Sequence, residues 1–137
     1  MKNILVTGGA GFIGSHVVRL FLNKYSNYTI YNLDKLTYSG DLYSINSLIK
    51  SLGSNASKRY KFFEGDISDR ETVDDVIKQT NPDLIIHLAA ETHVDNSIKS
   101  PENFITSNIQ GTFQLLQSSL DFYSKTNSET QEKFKFI

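Results

Sequence analysis

The stretch TGGAGFIG at residues 7–14 constrains the fold more than any other part of the chain. It follows a short apolar run at residues 3–7 and opens a segment whose apolar residues repeat with helical spacing. A strand that turns through glycines into a helix begins a βαβ unit. In such a turn Gly8 permits the bend, Gly11 admits a pyrophosphate to the helix start, and Gly14 lets the helix pack on the strand. The alternative is a tight βα turn without a ligand.

Strand and helix patterns alternate along the rest of the chain. Short apolar, β-branched and aromatic runs predict strands at residues 3–7, 28–33, 60–63, 83–90 and 134–137. Apolar residues at helical spacing lie between them. This alternation predicts an α/β fold: one domain over residues 1–137, with a Rossmann-type doubly wound parallel sheet in the strand order 3-2-1-4-5. Such sheets bind ligands at the carboxyl ends of strands 1 and 4.

Local signals predict where two of the helices begin. Ser68 and Glu71 have the spacing of a capping box, in which each side chain satisfies a free backbone amide. Ser100 and Pro101 predict the N-cap and first residue of a long helix that continues through Leu120. The polar residues after it predict a connection to the last strand.

Composition narrows the class of protein. Fourteen basic and fifteen acidic residues give a net charge of -1, so no basic face for nucleic acid is expected. The chain has no cysteine, which excludes disulfides and thiolate metal sites. It contains neither an export signal nor an apolar stretch of membrane-spanning length. We therefore expect a cytoplasmic protein with no membrane partner.

Asp34 ends the second predicted strand, twenty residues after Gly14. At this place a carboxylate accepts hydrogen bonds from the adenosine ribose of a dinucleotide. Because it also repels a 2′-phosphate, Asp34 favours NAD over NADP, although the adjacent Lys35 partly offsets that repulsion.

Two further stretches follow predicted strands and have two interpretations each. Asp66 and Ile67 follow strand 3, where they either contact adenine or form a turn before a helix cap. Leu88, Ala89 and Ala90 end strand 4 with small residues. They either let the nicotinamide half lie flat against the backbone or ease helix packing.

The histidines offer one candidate for chemistry. His16 and His87 fall within a predicted helix and strand, where structural roles are expected, whereas His93 follows strand 4 on the ligand edge. Glu91, His93 and Asp95 are closely spaced, but no other ligands occur at matching spacing, so no metal site is predicted.

A tyrosine with a lysine four residues later can act as a proton shuttle when both share a helical face. Tyr31 and Lys35 match in letters, but they fall in strand 2 and the turn after it. We interpret the match as coincidence, which leaves no general base assigned.

The motifs TGGAGFIGSH, LDKLTYSG, EGDISD, HLAAETHVDNSI and SNIQGT, in that order, resemble the extended short-chain dehydrogenase/reductase superfamily. The likeness covers the whole chain and is closest to nucleotide-sugar 4,6-dehydratases of the dTDP-glucose type. It implies NAD as cofactor and a nucleotide sugar as substrate. NAD would take a hydride from C4, water would leave across C5 and C6, and the hydride would return to C6.

The resemblance also implies roles for individual residues. Thr92 stands where the family often has a serine that contacts the hexose, and Asn96 stands where arginine is usual. The implied cofactor-binding residues are Gly8, Gly11, Phe12, Ile13, Gly14, Asp34, Lys35, Leu36, Thr37, Asp66, Ile67, Leu88, Ala89, Ala90, Glu91 and Ser107.

The family's catalytic Thr-Asp-Glu run and Tyr-x-x-x-Lys pair are expected after Ile137, so we assign no catalytic residue in this chain. We expect the NAD-binding portion of a longer dehydratase, inactive by itself and a homodimer when full length. The alternatives are a stand-alone NAD-binding or sensor module and part of a related epimerase. Whether the sugar carries dTDP or UDP stays open.

Overall fold

The computed structural model describes residues 2–137 and contains a five-stranded parallel sheet. The strands are Lys2–Thr7 (β1), Tyr28–Asp34 (β2), Tyr60–Glu64 (β3), Leu84–His87 (β4) and Lys135–Phe136 (β5). Their order is β3-β2-β1-β4-β5, and neighbouring strands run parallel. This confirms the fold class and the strand order predicted from the sequence.

Helices connect the strands. They are Phe12–Lys24 (α1), Tyr43–Leu52 (α2), Ser54–Lys58 (α3), Arg70–Thr80 (α4), Val94–Lys99 (α5), Pro101–Phe104 (α6), the π-helical segment Ile105–Gly111, Thr112–Lys125 (α7) and Ser128–Lys133 (α8). The sequence did not predict α3, α5 or α8, because one or two turns of mostly polar residues carry little hydrophobic periodicity. Within residues 2–137, none of these helices combines the length and the apolar character needed to traverse a lipid bilayer.

Both faces of the sheet are covered. On β1, Ile4 and Val6 pack with Val18 of α1 and Ile45 of α2 on one face. Leu5 belongs to the core on the other face, built with α4 and α7. All of these side chains are buried, as expected for a parallel sheet between two helical layers.

Strand β4 is shorter than predicted. The apolar run at 83–90 predicted a strand to Ala90, but β4 ends at His87. Its neighbour β1 ends at Thr7, which pairs with His87, so the residues beyond have no partner strand. The Leu88 amide still donates to the Thr7 carbonyl, and the chain then enters a loop at the carboxyl edge of the sheet.

The predicted capping box is wrong. Asp69 is the N-cap of α4, and its carboxylate accepts hydrogen bonds from the Glu71 amide and the Thr72 hydroxyl. The Ser68 hydroxyl instead donates to Asp66. At the next predicted start, Ser100 precedes Pro101 as expected, but its side chain makes no capping bond.

The long helix predicted from Pro101 is interrupted by the π-helical segment. A Cβ on Gly111 would lie 2.7 Å from the Ile67 side chain, so this turn approaches the loop after β3 closely. Leu115 faces the sheet and is buried. The apolar residues that gave the helical spacing lie on the opposite side and are 47% to 61% exposed: Ile105, Ile109, Phe113, Leu116 and Leu120, here called the outer stripe.

Candidate functional site

A cleft that is open to solvent lies at the carboxyl ends of β1 to β4. It is lined by Gly8, Gly11, Leu33, Asp34, Lys35, Thr37, Ser39, Gly40, Gly65, Asp66, Ile67, Leu88, Ala89, Ala90, Glu91 and Ser107. The structure thus brings together most of the residues predicted for cofactor binding. Leu33, Ser39, Gly40 and Gly65 were missed, although Ser39 and Gly40 stand within the quoted motif LDKLTYSG.

The glycine turn joins β1 to α1 along one wall of this cleft. Gly8 has a φ of +72°, and a Cβ there would lie 2.5 Å from the Ala89 amide. A Cβ on Gly14 would lie 2.0 Å from the Gly8 carbonyl oxygen. A Cβ on Gly11 would meet only that oxygen, at 3.3 Å. Glycine is therefore required by packing at positions 8 and 14. At position 11 packing does not require it, and the absence of a side chain leaves space in the cleft beside the helix start.

The first turn of α1 provides amide donors at the cleft. Gly11 is the N-cap, and no side chain caps this helix start. The free amides and the positive end of the helix dipole suit a phosphate. The Phe12 and Ile13 side chains are 83% and 64% exposed and do not line the cleft. Their predicted contacts, and that of Gly14, would come from main-chain atoms.

Asp34 lies between the glycine turn and the loop after β2. Its Oδ2 accepts from the Ala10 amide and its Oδ1 from the Leu36 amide, each at 2.9 Å. These bonds fix the carboxylate and leave each oxygen a lone pair for a ligand hydroxyl. Leu36 has a φ of +51° and does not line the cleft, so its part is to hold Asp34 through its amide.

The structure agrees with the turn interpretation of Asp66, whereas its contact with adenine stays a prediction. Asp66 is a turn residue whose Oδ1 accepts from the Ser68 amide and hydroxyl, and it also lines the cleft beside Ile67. Its Oδ2 accepts from the Lys35 ammonium at 2.8 Å. Burial raises the pKa of Asp66, but the hydrogen bonds from Lys35 and Ser68 outweigh that effect and bring the pKa below its ordinary value.

The opposite wall is the loop after β4, held by the π-helical segment. The Glu91 amide donates to Asn108 Oδ1 at 2.8 Å, and Asn108 Nδ2 donates to the Glu91 carbonyl at 2.9 Å. Ser107, which precedes Asn108 in the chain, lines the cleft. π-Helical turns occur often at functional sites, and this one positions a wall of the cleft.

At the rim of the cleft, Tyr38 of the loop after β2 contacts residues that follow β4. The Tyr38 hydroxyl accepts from Asn96 Nδ2 at 3.0 Å and donates to Glu91 Oε2 at 3.4 Å. The His93 ring contacts the Tyr38 ring edge-on, with centroids 5.8 Å apart. Asn96, at the position where the resemblance leads one to expect arginine, therefore links α5 to the loop after β2. Thr92 is exposed beside this rim and outside the cleft.

Two histidines bond within the fold. His16 contacts the Phe12 carbonyl one helical turn earlier. The His87 ring lies between the Thr7 hydroxyl, 2.7 Å from Nδ1, and the Thr112 hydroxyl, 2.9 Å from Nε2. In the described part of the chain, no group of three or more His, Asp or Glu side chains is arranged to hold a metal ion.

Tyr31 and Lys35 share no helical face, which confirms that their spacing is coincidental. Tyr31 lies in β2 and packs near Phe63, with ring centroids 6.3 Å apart. Lys35 follows the strand and is paired with Asp66. The pair therefore does not form a proton shuttle.

Comparison with known proteins places the chain in a family. A family model described as GDP-mannose 4,6 dehydratase matches residues 5–137. The chain belongs to this family. Among curated relatives of this family member, dTDP-glucose 4,6-dehydratase of Neisseria gonorrhoeae is 47% identical over 135 residues, which cover 98% of this chain and 37% of the relative.

Solved structures agree with that membership. dTDP-glucose 4,6-dehydratase of Bacillus anthracis, solved in complex with NAD, is 35% identical with a TM-score of 0.75, covering 99% of this chain and 36% of the other. A UDP-Glc/GlcNAc 4-epimerase of Campylobacter jejuni is 34% identical with a TM-score of 0.75, covering 89% and 34%. The family member described here thus spans a little over a third of the length of these proteins.

Proposed function

We propose that this chain is the NAD-binding portion of a nucleotide-sugar 4,6-dehydratase, which converts dTDP- or UDP-glucose into a 4-keto-6-deoxy sugar nucleotide. One observation carries the proposal: the uncapped start of α1 and the fixed carboxylate of Asp34 face one cleft. A pyrophosphate fits the first, and ribose hydroxyls fit the second. The similarity to the dTDP-glucose 4,6-dehydratase of Bacillus anthracis, solved in complex with NAD, supports this assignment.

Different residues of the cleft are proposed to bind different parts of NAD. The helix-start amides would hold the pyrophosphate, Asp34 the adenosine ribose, and Ile67 the adenine. The backbone from Leu88 to Glu91 would support the other half of the cofactor, beside Ser107. NAD, when bound, can accept a hydride and later return it. Thr92, exposed at the rim, is proposed to contact the sugar.

Mass spectrometry of the reaction products distinguishes a dehydratase from an epimerase and from a stand-alone NAD-binding or sensor module. The intact protein is incubated with NAD and, in turn, dTDP-glucose and UDP-glucose. A dehydratase product is lighter than its substrate by one water, whereas an epimerase product has an unchanged mass. NAD binding with no product from either sugar would favour a stand-alone binding or sensor module and contradict the dehydratase proposal.

We propose that the 137-residue chain alone produces no product. Among residues 2–137, the cleft contains no tyrosine–lysine pair on a helical face to move protons. Product formed by the purified 137-residue chain would overturn this expectation.

We propose that the full-length protein pairs as a homodimer through the outer stripe. A contiguous row of large apolar side chains at this exposure is typical of an interface. Phe113→Glu should shift the full-length protein from dimer to monomer in analytical ultracentrifugation, and a monomeric unaltered protein would contradict the proposal.

We also propose that the protein is located in the cytoplasm. Fractionation of the source cells tests this location.

A further inference from the structure

The charged side chains that line the cleft are predominantly acidic. Among the described residues that line the cleft, the carboxylates are Asp34, Asp66 and Glu91, and the cation is Lys35. A 2′-phosphate on the adenosine ribose adds about two negative charges, so it needs a cation nearby. Lys35 directly follows Asp34 and is the residue placed to supply one.

Asp66 engages that cation. Asp34 pairs with Glu64 across β2 and β3, so the loops that carry Lys35 and Asp66 leave the sheet side by side. Lys35 Nζ lies 2.8 Å from Asp66 Oδ2. The other oxygen, Oδ1, is held at 2.9 Å by the Ser68 amide and at 2.8 Å by its hydroxyl. The carboxylate is thus held in place by contacts that do not depend on Lys35.

Ionisation of Asp66 favours the pair at neutral pH. Burial raises the pKa of its carboxyl, while the donors on Lys35 and Ser68 lower it further than burial raises it. The carboxylate is therefore charged under ordinary conditions and attracts the ammonium.

Asp34 and Lys35 reach in opposite directions along the sheet edge. Asp34 Oδ2 bonds to Ala10, on the β1 side of β2, whereas Lys35 bonds to Asp66, on the β3 side. Leu36, at a φ of +51°, donates its amide to Asp34 Oδ1 and closes a turn that has Lys35 at its centre. The negative charge of Asp34 therefore faces the ribose without the ammonium of Lys35 beside it.

We propose that Asp66 is a specificity-determining residue, which makes the cleft select NAD over NADP by holding the Lys35 ammonium away from the ribose 2′ position. This inference rests on the proposed cofactor-binding function. Asp66 acts here through Lys35, and any contact of its own with adenine is a separate matter. A 2′-phosphate would meet the charge of Asp34 and would have to compete with Asp66 for the Lys35 ammonium.

The test is the ratio of the Kd for NADP⁺ to the Kd for NAD⁺, measured by calorimetry on the intact protein freed of nucleotide. Asp66→Asn keeps the shape of the side chain and an acceptor for Ser68 but removes the charge. The ratio should fall by about threefold to tenfold, because the freed ammonium can reach a 2′-phosphate. A lost adenine contact would weaken both ligands alike and cancel in the ratio.

Three variants make the test specific. In the double variant Lys35→Ala/Asp66→Asn the gain should vanish, because no ammonium is left to recruit. Glu64→Gln removes a charge from the end of β3 outside the ion pair and should move the ratio by less than about twofold. Asp66→Ser, in which a short hydroxyl replaces the carboxylate, should repeat the shift if Asp66→Asn fails to fold.

An unchanged ratio in the folded Asp66 variant would overturn the proposal, and so would a gain that persists without Lys35. These results leave the proposed function intact as long as the unaltered protein binds NAD⁺. An unaltered protein that binds neither nucleotide would overturn the proposed function and this inference together.

Discussion

Asp34 holds two backbone segments with the same two oxygen atoms that we propose accept hydrogen bonds from the ribose. Each oxygen accepts one backbone amide, from Ala10 in the glycine turn and from Leu36 in the next loop. Removing the carboxylate therefore frees two amides and removes the proposed ribose acceptor. At the scale of single residues, the loop geometry and the proposed ligand site depend on one another.

We expect Asp34→Ala to weaken NAD binding by about 1.5–3 kcal/mol, the usual contribution of hydrogen bonds to a charged group. Asp34→Asn should fall between this variant and the unaltered protein, because an amide keeps one acceptor oxygen. Calorimetry measures both affinities. An Asp34→Ala variant with undiminished affinity would show that the ribose is not bound here.

The glycines of the turn should separate into two kinds. Gly14→Ala places a Cβ 2.0 Å from the Gly8 carbonyl oxygen and should lower the free energy of unfolding by about 3 kcal/mol. Gly11 has a φ of -73°, which alanine adopts freely, so Gly11→Ala should cost about 1 kcal/mol or less. Its Cβ would instead crowd the proposed phosphate site and weaken NAD binding by about tenfold or more.

Urea unfolding and calorimetry on both variants check this separation. Equal losses of stability in Gly11→Ala and Gly14→Ala would contradict the assignment. Equal NAD affinities in Gly11→Ala and the unaltered protein would do so as well.

At the scale of elements, His87 ties β1 and β4 to α7. Its ring bonds to Thr7 of β1 and Thr112 of α7, and in the neutral ring one nitrogen donates while the other accepts. Burial lowers the pKa of His87 below its ordinary 6.5. The folded protein therefore keeps the ring neutral at a pH where the unfolded chain already binds the proton.

The stability of the fold should consequently fall as the pH falls below about 6.5, because the unfolded state then binds more protons. The contribution of this one group has a slope of at most about 1.4 kcal/mol per pH unit. Urea unfolding between pH 7 and pH 5 measures the slope. His87→Asn keeps a donor and an acceptor but does not titrate, so it should flatten the curve, and an unchanged slope would contradict the role given to His87.

Tyr38 connects two other elements, the loop after β2 and helix α5, across the carboxyl end of β1. Tyr38→Phe removes its bonds to Asn96 and Glu91 and should speed NAD release by about threefold to tenfold, as expected for one or two exposed hydrogen bonds. Stopped-flow displacement of NAD measures this rate. Tyr43→Phe, at the exposed first residue of α2, is the matched control. Equal release rates in the two variants would contradict the role given to Tyr38.

At the scale of the whole molecule, the sequence predicted the features that depend on periodicity. The strand order followed from the alternation of strands and helices, and the cleft followed from Gly8 and Asp34 at strand ends. Features that depend on contacts were missed. Strand β4 ends at His87, where its neighbour β1 ends at Thr7, and the π-helical segment packs its Gly111 closely against Ile67.

Other contacts carried no sequence signal. A Cβ on Gly9 would lie 2.2 Å from Asn32 Oδ1, yet Gly9 falls outside the three-residue spacing of the motif. The outer stripe has helical spacing whether it faces the core or the solvent, so periodicity alone did not orient it. Partner bonds such as Lys35 to Asp66 join residues far apart in the chain and needed the folded structure.

A crystal structure of the protein with NAD is the most direct test of the central claim, that the glycine turn and Asp34 together bind the dinucleotide. The account predicts the pyrophosphate against the first amides of α1 and the adenosine ribose hydroxyls within hydrogen-bond distance of Asp34. NAD bound elsewhere, or bound here with its ribose away from Asp34, would contradict the account.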